Sequence, residues 1–131
     1  MDALTKYPSE ILVLVFLIIT FLQSGFDKLT DWKGNVSFIK NHFKNSPLKN
    51  SVPFLLSIVL ITEIIASLFM VYGIYDLIYS GTKLFALYGI ELAALTLIFL
   101  LIGQRLAKDY AGAMTLSVYF IITIIGMDLM T

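Results

Sequence analysis

Apolar residues fall in four long runs separated by short polar stretches, and each run predicts one helix. The runs cover residues 9–27, 53–74, 82–103 and 111–127, each about the ~17–25 residues a helix needs to cross ~30 Å of hydrocarbon. Pro8, Ser9 and Glu10 stand at the front of the first run, where proline and an acidic residue suit a helix start. A buried helix of a water-soluble domain keeps one polar face, whereas residues 95–102 carry none. Four runs, short loops and one longer connection predict an all-α fold. It is an integral-membrane four-helix up-and-down bundle in one domain, residues 1–131, with antiparallel neighbours.

The longer connection lies between the first two runs. Within it Trp32, Val36, Ile39 and Phe43 recur at helical spacing, while Lys33, Lys40 and Lys44 fall elsewhere on the wheel. This predicts an interfacial amphipathic helix over residues 32–44, with Trp32 as an anchor at the headgroups and the lysines toward anionic lipid. His42, the single histidine, reads as a surface residue and cannot build a bis-histidine haem site within one chain.

Composition strengthens the membrane reading: 59% of residues are hydrophobic and only 14% charged, with a mean hydropathy of +0.90. Nine basic residues balance nine acidic ones, so no net charge draws the chain to nucleic acid. Cysteine is absent, which removes disulfides, thiolate metal sites, iron–sulfur ligation and a dithiol relay. No phosphate-binding glycine loop, metal-ligand cluster or nucleophile with a histidine base is present. The expectation is therefore no catalytic residue, no metal and no cofactor held by this chain alone, with quinone or lipid as its small-molecule contacts.

Charge placement predicts orientation. Lys28, Lys33, Lys40, Lys44 and Lys49 lie in the first loop and Arg105 and Lys108 in the third, against Lys6 and Lys83 opposite. Loops one and three are expected in the cytoplasm and both termini outside. The first run reads as a retained span rather than a signal peptide, because its leader is not basic and it ends in Gln23-Ser24-Gly25.

Polar residues inside the spans carry the candidate chemistry. Glu63 and Glu91 fall near the middle of the second and third spans, where an ionised acid costs roughly 2.5–3.5 kcal/mol. Tyr119 and Thr20 lie at comparable depth in the fourth and first, so Thr20, Glu63, Glu91 and Tyr119 are expected to form one midplane layer. Two such carboxylates repel when both are ionised, so at least one is expected to be protonated and to donate to its neighbours. The layer reads either as interhelical packing or as a proton, ion or quinone-headgroup site. Thr20, Gln23, Ser24 and Asp27 on the first span, and Gly112, Thr115, Tyr119 and Thr123 on the fourth, form stripes expected to face inward. Ala86, Gly89 and Ala93 give the third span a strip that another helix can approach closely. Lys28, at the end of the first span, complements the helix dipole and is within reach of Asp27 or Asp31.

Gly25-Phe26-Asp27-Lys28-Leu29 resembles the G-x-x-K-L element that closes the first helix of DoxX-type membrane proteins. The lysine-containing connector, then Pro53 and the run through Glu63 to Gly73, is similar to that family's first loop and second helix; Gly126-Met127-Asp128 is similar to an ending found there. The resemblance implies a prokaryotic four-helix protein of the cell (inner) membrane, related to subunits of a thiosulfate:quinone oxidoreductase. Gly25, Asp27 and Lys28 form the helix-one motif, and Lys28 and Glu63 are the residues carried over. The segment 103–112 lacks the histidine that many relatives place there, and no cysteine is available to hold sulfur.

Three functions follow as expectations. The leading one is an accessory or anchoring subunit of a larger membrane complex, respiratory or quinone-linked, not catalytic alone. The alternatives are a quinone-binding oxidoreductase subunit and a small oligomeric proton, ion or solute transporter using the midplane carboxylates. The expected partners are the lipid bilayer and either other membrane subunits or further copies of the chain.

Overall fold

A computed structural model describes residues 2–131. The described residues are all-α, with six helices: α1 (Asp2–Lys6), α2 (Pro8–Thr30), α3 (Trp32–His42), α4 (Val52–Ser80), α5 (Leu84–Leu106) and α6 (Tyr110–Met130). Of these, α2, α4, α5 and α6 are long and apolar enough to cross a membrane. Each long helix also exposes large apolar side chains, among them Leu12, Leu68, Phe99 and Met114. Such a surface suits a lipid bilayer, where backbone groups are satisfied within each helix and apolar side chains meet lipid tails.

Local chemistry sets the helix ends. Pro8 opens α2, where its missing N–H costs nothing. Asp31 ends α2 and begins α3, its carboxylate accepting from the Gly34 N–H. Asp109 caps α6 in the same way, accepting from the Gly112 N–H at 2.9 Å. Between α5 and α6 the chain turns through Lys108 at φ 62°. There the N–H groups of Lys108 and Asp109 return to the carbonyls of Arg105 and Gln104, a left-handed helix stop usually given to glycine. Gly81 supplies that conformation after α4, at φ 67°.

The second apolar run, read as residues 53–74, belongs to a helix that continues to Ser80. The extension carries Tyr75 and Tyr79, which with Tyr72 form an exposed ladder of rings with centroids 5.9 and 4.7 Å apart.

Packing runs from α2 to α4, from α4 to α5, from α5 to α6 and back to α2. The α4–α5 contact is the tightest for a steric reason. A Cβ placed on Gly73 would lie 2.6 Å from the backbone of Ala86, and one on Gly89 would lie 2.9 Å from the Met70 nitrogen. The strip Ala86, Gly89, Ala93 is buried against α4, as its small residues predict. Leu14, Leu17, Phe21, Ala66, Met70, Ile90 and Leu97 fill the core between the helices.

Contacts mark two ends. At one, Lys83 donates to the Leu129 carbonyl at 2.9 Å and lies 3.4 Å from Glu10, with its ammonium over the Tyr7 ring. At the other, His42 at the end of α3 meets Gln104 and Asp109 where α5 gives way to α6.

Candidate functional site

The residues predicted to share a midplane layer have separate surroundings. Among the described residues no hydrogen bond joins any two of Thr20, Glu63, Glu91 and Tyr119. The Thr20 hydroxyl donates to the Phe16 carbonyl of its own helix at 2.9 Å, the usual refuge of a threonine in an apolar helix. Tyr119 is half-buried, its ring 6.3 Å from that of Phe16.

The two acids have opposite environments. Glu63 faces the interior, with its side chain 3% exposed, and accepts from Lys28 Nζ at 2.8 Å. Lys28 also donates to the Ser24 hydroxyl at 2.6 Å, because side chains on a helix lean toward its N-terminus and place residue i over i−4. The partner of Lys28 is thus Glu63, not Asp27 or Asp31. Mutual repulsion of two acids gives way to an acid matched by a base, and Gly25 lies buried beside Leu60 and Ile64 of α4 at this level.

Glu91 faces outward. It lies on the exposed face of α5 that also carries Leu84, Tyr88, Leu95 and Ile98, seven residues or about 10 Å from the helix start. Among the described residues it has no ion-pair or hydrogen-bond partner. Its neighbours three and four residues away are Leu87, Tyr88, Ala94 and Leu95, and none supplies a cation.

The polar stripes are only partly inward. Ser24 is half-buried and Thr123 buried, but Gln23, Asp27 and Thr115 are exposed. Gln23 and Asp27 stand in the last turns of α2, where polar groups can reach the headgroup zone. Thr115 directs its hydroxyl to the Ala111 carbonyl, so it gains nothing from facing inward. Trp32 begins α3 and is half-buried.

A feature not expected from the sequence lies beneath α3. A cavity of about 530 Å³ opens between α3, the first half of α4, the second half of α5 and Leu116 of α6. Its walls are mostly Phe, Leu, Ile and Val; its polar side chains are Thr62, Thr96, His42, Gln104 and Asp109. The two threonines donate to carbonyls of their own helices, Val59 and Leu92. The other three cluster at one end: His42 Nε2 lies 2.9 Å from Gln104 Oε1 and 3.4 Å from Asp109 Oδ2. Phe38 stacks on the His42 ring and Phe43 meets it edge-on. His42 is therefore a clasp that holds α3 over the bundle rather than an isolated surface residue. The signal for it was split between residues 62 positions apart, and no spacing rule joins them.

No family model, curated protein or solved structure matches the chain.

Proposed function

We propose that this chain is an accessory or anchoring subunit of a larger membrane assembly. Glu91 carries the reading. An acid on the outer face of a membrane-spanning helix, with apolar neighbours and no partner among the described residues, costs roughly 2.5–3.5 kcal/mol when charged. A polar or basic group on an adjoining chain would offset that cost, and the small extramembrane mass leaves most of the surface free for lateral contact.

In this reading the four long helices cross the bilayer up and down. Helix α3 lies along the cytoplasmic headgroups with Trp32 as anchor, and both termini lie outside. The resemblance of the Gly25–Leu29 segment and of the helix containing Glu63 to DoxX-type proteins supports a quinone-linked oxidoreductase of a prokaryotic cell membrane as the larger assembly. Lys28 and Glu63, the two residues carried by that resemblance, meet in an ion pair, which supports a common way of joining the first two spans.

The test is native purification in mild detergent, with mass spectrometry of what comigrates, for the wild type, Glu91→Gln and Glu91→Leu. Reproducible larger subunits with the wild type and Glu91→Gln, lost with Glu91→Leu, are expected. Recovery as a homo-oligomer in all three would overturn the accessory reading in favour of self-association and transport.

A further inference from the structure

The cavity beneath α3 has a one-sided distribution of polarity that neither packing nor a partner at Glu91 explains. From Thr96 to Gln104 it follows α5 for eight residues, about 12 Å, or somewhat less than half of a ~30 Å hydrocarbon core. Along that length its hydroxyls are already committed to their own helices. Unspent hydrogen-bonding capacity is confined to the end at α3. With the His42 proton on Nε2, that nitrogen donates to Gln104 Oε1 and Nδ1 is left as an acceptor. The Gln104 amide nitrogen, beside Gly112 at the start of α6, has no acceptor among the described residues, and the Asp109 carboxylate, whose Oδ1 caps α6, keeps further acceptor capacity on Oδ2. A volume of about 530 Å³ falls within the ~300–1,000 Å³ range of small-molecule sites.

We propose that this cavity binds a single-chain amphiphile, its tail inside and its uncharged head, able both to donate and to accept a hydrogen bond, at His42, Gln104 and Asp109. An apolar tail matches the Phe, Leu, Ile and Val walls. An uncharged head matches an end that contains a carboxylate, which repels an anionic head, and an imidazole and amide that need both a donor and an acceptor. Two sources share this chemistry: a quinol and a monoacylglycerol. The proposal does not depend on the chain belonging to a larger assembly, because every residue in it comes from this chain.

The probe is a monoacylglycerol with a diazirine at the end of its tail, photolysed with the full chain in phosphatidylcholine nanodiscs and mapped by mass spectrometry. Labels are expected within residues 58–62 and 96–100, at the inner end of the cavity. Leu100→Trp should fill the space and remove them. Gln104→Leu leaves the walls intact and should weaken capture by up to roughly tenfold through the lost head contact. Competition by unlabelled monoacylglycerol alone identifies a glyceride, competition by decylubiquinol alone a quinol, and competition by both confirms the shared head chemistry. Labels spread evenly over outward positions such as Leu12, Leu95 and Ile121, unchanged in both variants, would overturn the proposal. Equal competition by phosphatidylglycerol would also overturn it.

Discussion

Lys28 Nζ lies 2.8 Å from Glu63 Oε1, with side-chain exposures of 13% and 3%, and this pair ties the end of α2 to the first half of α4. Both groups are largely removed from solvent, so each depends on the other. Removing one partner from a buried pair typically costs about 3–5 kcal/mol, while replacing both by apolar groups is often neutral or better. Lys28→Met is therefore expected to destabilise the chain by about that amount, with Lys28→Met/Glu63→Leu recovering most of the loss. Unfolding in mixed micelles, followed by helical circular dichroism, measures both; a double variant as weak as the single would refute the pairing argument.

Two glycines of the helix interfaces should respond in opposite ways to one added methyl group. At Gly73 it would meet the Ala86 backbone at 2.6 Å, where nothing can yield without separating α4 from α5. Gly73→Ala is expected to cost about 1–3 kcal/mol through overpacking. At Gly25 the nearest atoms are side-chain carbons of Ile64 and Leu60 at 3.6 and 3.8 Å, an ordinary contact distance. Gly25→Ala is expected to be neutral or to stabilise by up to about 1 kcal/mol, since alanine is the better helix former. The same unfolding assay ranks them.

The clasp at His42 makes a dynamic prediction. His42→Ala removes the contacts to Gln104 and Asp109 together with the ring stacking on Phe38. Amides of residues 36–42 should then exchange with deuterium several-fold faster, while those of α5 stay protected. Unchanged exchange in α3 would mean that its apolar contacts alone hold it down.

Backbone conformation yields a gain as well as a loss. Lys108 occupies the left-handed region at φ 62°, as Gly81 does at φ 67°. Lys108→Gly should stabilise by up to about 1 kcal/mol, because the strain of a Cβ there disappears. Gly81→Ala should cost a similar amount, about 1 kcal/mol. Thermal unfolding in detergent reads both, and a destabilised Lys108→Gly would point to an unrecognised contact of the lysine.

Much of the helical layout was legible from apolar runs because each long helix holds an apolar stretch long enough to span hydrocarbon, so length marks it. The small strip Ala86, Gly89, Ala93 was legible for a similar reason: it has one physical use. Depth counting for Glu63 and Glu91 succeeded less well, since it places a residue along a helix but not around it. A seemingly equivalent pair became one acid facing a lysine and one facing outward. Lys28 illustrates the same limit, because reach along its own helix suggested Asp27 or Asp31, and the match came from another helix. Nothing in a single sequence ranks a lysine–acid pair 35 positions apart above one a single turn away.

The 29-residue α4 would extend about 43 Å at 1.5 Å per residue, against about 30 Å of hydrocarbon. The surplus must be absorbed by tilt or by projection into the headgroup zone, and the ladder Tyr72, Tyr75, Tyr79 sits on the half of the helix that would project. Amphipathic rings prefer that zone, so in the proposed bilayer placement they would act as a depth gauge for how far the helix rides up. Membranes of different thickness would then tilt this helix to different degrees, and because Gly73 locks α4 to α5, the two would lean as one blade.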